Sequence, residues 1–166
     1  MSRPASYPSP DPTIPSSLWP RDLLSGDQRI PLTILGAQAD QLAALAGDAL
    51  NVSVRSTADP ATSFCAHRLI VSPNGLENVF FELVRLTHPL HAVYPVGVRC
   101  EPTALVLPHT AAGAPVNAAK LEEYLRELFG QAAVRNAVRS LFAQGQVAKA
   151  EKKKGRRAND DAPQAA

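Results

Sequence analysis

Hydrophobic and polar positions change their period twice along this chain. Leu35, Leu42, Leu45, Ala46 and Ala49 recur at helical spacing, with Gln38, Gln41 and Asp48 mostly off that stripe. Pro31 suits a first helical turn, where its missing amide donor costs nothing. The pattern predicts a helix over Pro31–Leu50 that lies close to a sheet through the small residues Gly36, Ala39 and Ala43.

Beyond it the period shortens to two. Val52 and Val54, then Phe64 through Val71, read as two strands joined near Asp59-Pro60. Ser72-Pro73-Asn74-Gly75 is a turn signature, because proline presets φ and Asn-Gly tolerates positive φ. The apolar run Val79–His88 then returns as a hairpin partner. Further strands are expected over Tyr94–Cys100 and Ala104–Leu107.

The helical period resumes after the small-residue loop Thr110–Val116. Asn117 is placed to cap a helix bearing Leu121, Tyr124, Leu125, Leu128 and Phe129 on one face. Gly130 interrupts, and Val134, Val138, Leu141 and Phe142 form a second stripe out of phase with the first. Consecutive strands with short links, flanked by helices, give the expected fold class. It is α+β, a four- to five-stranded antiparallel meander packed on one face by an N-terminal helix and two C-terminal helices.

The chain's 166 residues fit one domain. Composition changes that picture only at the ends. Six prolines crowd the first twenty residues and favour polyproline II, with Trp19 and neighbouring leucines pinning the leader onto the domain. Six basic residues stand against Glu151 between positions 149 and 157, so residues 1–148 are nearly neutral although net charge is +2. The expected organisation is a disordered Pro-rich leader over 1–19, one α+β domain over 20–147 and a disordered basic tail over 148–166. No stretch approaches the roughly 20 apolar residues of a membrane span, and no apolar segment follows the N-terminus as in a signal peptide. Two cysteines without such a signal read as reduced thiols in a cytoplasm.

Candidate chemistry is sparse. Cys65, His67, His88, His91 and Cys100 are zinc-type ligands, and Cys65 and His67 share one side of their strand. Their spacing contains no Cys-x-x-Cys or His-x-x-x-His pair, so no metal or other cofactor is expected. The imidazoles of His67 and His88 are expected more than about 8 Å apart, too far to share an ion. No catalytic residue is assigned, because no nucleophile elbow, carboxylate pair or glycine-rich phosphate loop is present.

Arg55, Arg68, Arg85 and Arg99 fall on successive strands, and the reading preferred for them is a solvated polar face. Lys149, Lys152, Lys153, Lys154, Arg156 and Arg157 offer phosphate contacts to nucleic acid. Val134, Val138, Leu141 and Phe142 are expected to meet a partner protein or a second copy of the chain. The leading expectation is a non-catalytic accessory protein working through protein–protein contacts. Its alternatives are a nucleic-acid-associated protein using the tail and a small metal- or His/Cys-dependent enzyme.

Overall fold

A computed structural model describes residues 29–76 and 78–160, with side chains described through residue 154. The expected leader, including Trp19, and the last six residues of the tail lie outside the described residues.

Helix α1 spans Pro31–Ala46, opened by Pro31 in its first turn and closed by Gly47 at positive φ. A single 3₁₀ turn, Gly47–Ala49, then leads directly into β1 at Leu50. The helix therefore ends four residues before the expected Leu50. Its buried side is made by Ile34, Leu35, Ala39 and Ala46, while Leu45 is 85% exposed. The strands are β1 (Leu50–Asp59), β2 (Phe64–Pro73), β3 (Phe81–Pro89), β4 (Gly97–Cys100) and β5 (Leu105–Leu107). They pair in sequence order, each antiparallel to the next, as the meander pattern predicts.

Asn74 and Gly75 do turn the chain, with Gly75 at φ +89°. They begin a longer connection, however, because β3 starts only at Phe81. A register shift between Leu69 and Ile70 follows, and it leaves both Leu83 and Val84 buried.

Helix α2 (Ala118–Gly130) is capped as expected: Asn117 Oδ1 accepts the backbone N–H of Lys120 at 2.9 Å. One residue separates it from α3, which runs Ala132–Asp160 and so continues through the basic run beyond Gln146. Alanine, lysine, glutamate and arginine are good helix formers, so the helix outlasts its apolar stripe.

All three helices cover the same side of the sheet. Leu69, Val71, Val84, Leu86, Val98 and Cys100 project from that side into one core with Leu35, Leu121, Leu125, Leu128, Val134 and Leu141. Each fully buried leucine contributes about 2 kcal/mol by leaving water, so a core poor in aromatics still holds the layers together. The opposite side of the sheet carries the polar alternation. Among the described residues no helix is long and apolar enough to cross a membrane.

Candidate metal centre

β2 and β3 build the site at the end of the sheet nearest Asp59. Cys65 and His67 are two residues apart on β2, so both point to the core side. Cys65 pairs directly with His88 on β3, which places His88 diagonally beside His67 on that same side. Ser56 on β1 pairs directly with His67 from the other flank.

These side chains converge. His67 Nε2 and His88 Nε2 are 3.1 Å apart, and their ring centroids are 5.2 Å apart. The expectation that the two imidazoles lie too far apart to share an ion is thereby overturned. Cys65 Sγ is 3.8 Å from His67 Nε2, and the three ligand atoms all lie within 4.8 Å of one another. Two nitrogens bound to one tetrahedral zinc stand about 3.3 Å apart, and a sulfur and a nitrogen about 3.5 Å. Two edges of the triangle are thus already near coordination size. The third, from Cys65 Sγ to His88, is no longer than 4.8 Å, and Cys65 is only partly buried.

Hydrogen bonds orient the ligands. His88 Nδ1 lies 2.8 Å from the Pro89 carbonyl oxygen, which can only accept, so the proton of the neutral ring sits on Nδ1. The Nε2 lone pair of His88 is therefore aimed at His67. On the far side of His67, Nδ1 meets the Ser56 hydroxyl at 2.8 Å. Nitrogens this close are held either by a shared proton or by a shared ion. In the first case His67 Nε2–H donates to His88 and the Ser56 hydroxyl donates to His67 Nδ1. In the second, His67 carries its proton on Nδ1 and Ser56 Oγ accepts it. The serine suits both arrangements because a hydroxyl donates and accepts.

His67 and His88 are both buried. Burial, and secondarily the electrostatic coupling to the neighbouring imidazole, holds the His67 imidazole below its ordinary value of 6.5, which favours the neutral ring with a lone pair available. A carbonyl or hydroxyl partner on the second ring nitrogen is the usual support of a metal-binding histidine.

The other sequence candidates go elsewhere. His91 is exposed, after the end of β3. Cys100 is buried on the core side but pairs with Val84, four residues along β3 from His88 and so about 13 Å away. Ser56 was not singled out by sequence; its signal was position, since it faces His67 across the first hairpin. Lys149 is tied to Asp48 by an ion pair, while Lys152, Lys153 and Lys154 are exposed along α3. The side chains of Arg156 and Arg157 lie outside the described residues. Val134 and Leu141 are buried, and Val138 and Phe142 pack partly buried against the chain's own core.

No protein family, no characterised protein and no solved structure matches this chain.

Proposed function

We propose that this domain binds a transition-metal ion, zinc being the reference ion, through Cys65, His67 and His88. The observation that carries the reading is the 3.1 Å approach of two buried imidazole nitrogens, with a thiol 3.8 Å from one of them. Nitrogen and sulfur donors select transition metals over calcium and magnesium. A thiol ligand also needs a reducing compartment, and both cysteines are free, which supports a cytoplasmic setting. The protein-contact reading has less support, because the α3 stripe assigned to it is packed against the chain's own core.

Three protein ligands leave a tetrahedral ion one position for water or substrate, as in catalytic zinc sites, whereas structural sites use four. That count favours, as a second reading, a small metal-dependent enzyme over a purely structural ion.

Competition titration of zinc against a chromophoric chelator tests the proposal. The chain should bind one zinc, and Cys65→Ser, His67→Gln and His88→Gln should each weaken binding about 100-fold or more. Ser56→Ala should cost about 10- to 100-fold by releasing the His67 ring, and His91→Gln should cost nothing. Zinc binding that ignores all three ligand substitutions, or no binding at all, contradicts the proposal.

A further inference from the structure

The sheet face turned away from the helices carries a rank of like charges. Arg55 pairs directly with Arg68, Arg68 with Arg85, and Arg85 with Arg99. Four guanidinium groups thus line up across four adjacent strands, over about 14 Å at the ordinary strand spacing. Like charges placed directly opposite one another oppose sheet formation. One such pair is unremarkable; three in succession are a cost that folding alone does not ask for.

Only part of that charge is neutralised among the described residues. Glu82 grips Arg85 with two hydrogen bonds of 2.7 and 2.9 Å and stands 3.7 Å from Arg68. Glu101 pairs with Arg99 at 2.8 Å. Arg55 has no ion pair among the described residues, and Arg68 Nε is buried without a hydrogen-bond partner. Among the described residues, two carboxylates against four guanidinium groups leave the face cationic, with the excess at its Arg55–Arg68 end. A concavity of about 330 Å³ opens there, lined by Arg55, Arg68, Ile70, Phe80 and Phe81 and, on its acidic side, by Glu82 and Glu101. Phe80 is 74% exposed.

We propose that this face binds single-stranded nucleic acid, with phosphates along the arginine rank and one base on Phe80. Guanidinium forks match phosphate oxygens in pairs, and an exposed aromatic ring beside a cationic track is the arrangement that holds an unpaired base without reading its identity. A duplex keeps its bases stacked inside and could not use the ring. An acidic polypeptide would satisfy the arginines but leave Phe80 without a role. This surface lies on the opposite side of the sheet from Cys65, His67 and His88, so it stands or falls independently of the metal centre.

The test is fluorescence anisotropy of the full chain with labelled twelve-residue oligo-dT and oligo-U across a salt series. Binding should weaken as salt rises. The Arg55→Gln, Arg68→Gln double variant should bind at least tenfold more weakly, with a log–log salt slope shallower by about 1.4 for two lost phosphate contacts. Phe80→Ala should bind about fivefold more weakly or worse, with its slope unchanged. Arg55 and Phe80 are exposed and Arg68 is half-buried, so the melting temperature of each variant is measured alongside, and an unshifted value confirms that it is folded. The triple variant Lys152→Glu, Lys153→Glu, Lys154→Glu should lose less affinity than the arginine double variant. The proposal is overturned by absence of binding at about 50 mM salt. Losses that follow the lysines and spare the arginines overturn it too, as does polyglutamate competing as well as oligonucleotide with Phe80→Ala silent.

Discussion

His67 sits between Ser56 and His88 with 4% of its surface exposed, so its charge state is coupled to folding. Its folded value lies below the ordinary 6.5, chiefly because burial penalises the imidazolium. As pH falls through 6.5 the unfolded chain takes up this proton first, and folded-state stability drops. The contribution is fully present above the unfolded value and is lost on acidification toward the folded one. Urea melts between pH 8 and pH 5 should show that loss, with a limiting slope of about 1.4 kcal/mol per pH unit for one proton. His67→Gln should flatten that part of the profile, and an identical profile in the variant would show that His67 is not the titrating group. Protonation also competes with a metal ion for the same lone pair, so zinc affinity should fall over the same range. At this scale sequence named the residues that converge and the shared side of Cys65 and His67, but expected His67 and His88 to stand apart. It could not identify Ser56, because a serine on a strand carries no signal until its cross-strand partner is known.

Register separates the legible from the illegible at the scale of elements. A two-residue turn at Asn74-Gly75 would pair Cys65 with Val84 and leave His88 beyond the end of the ladder. The longer connection to Phe81 and the irregularity at Leu69/Ile70 move the pairing by four residues and set His88 opposite Cys65. Asn74 explains why the chain does not turn back at once. Its backbone N–H and its side-chain amide donate to the Ala49 and Asp48 carbonyls, tying the end of β2 to the turn after α1. Helix α3 crosses the same spot. A Cβ added at Gly145 would lie 2.0 Å from the Ala49 carbonyl oxygen, a rigid backbone atom. Gly145→Ala should therefore cost about 1–3 kcal/mol or more in a denaturant melt, although alanine is the better helix former. Gly36 on α1 has open space at its Cβ and ordinary φ, so Gly36→Ala should instead gain about 0.5–1 kcal/mol. Equal and small effects at both positions would remove the close crossing of α3.

Across the whole molecule, the period changes at residues 50 and 117 were enough to predict the order of elements, the meander and the one-sided helical layer. Alternation also foretold one polar face. What alternation cannot tell is whether the four arginines on that face are staggered or opposed, since that again depends on register. The two sides of the sheet thus acquire different chemistry from the same pairing: thiol and imidazoles gathered on the core side, guanidinium groups ranked on the other. Sequence placed each of these residue types on a strand, and hairpin offsets decided which of them met. The central claim is that Cys65, His67 and His88 hold one ion together. X-ray absorption at the zinc edge of the stoichiometrically loaded protein tests it most directly. The expected coordination has one sulfur at about 2.3 Å and two imidazole nitrogens at about 2.0–2.1 Å, with one further light atom. Loss of the sulfur in Cys65→Ser with both imidazoles retained would complete the assignment. A shell of oxygen and nitrogen alone in the wild type, unchanged by substitution at His67 or His88, would contradict it.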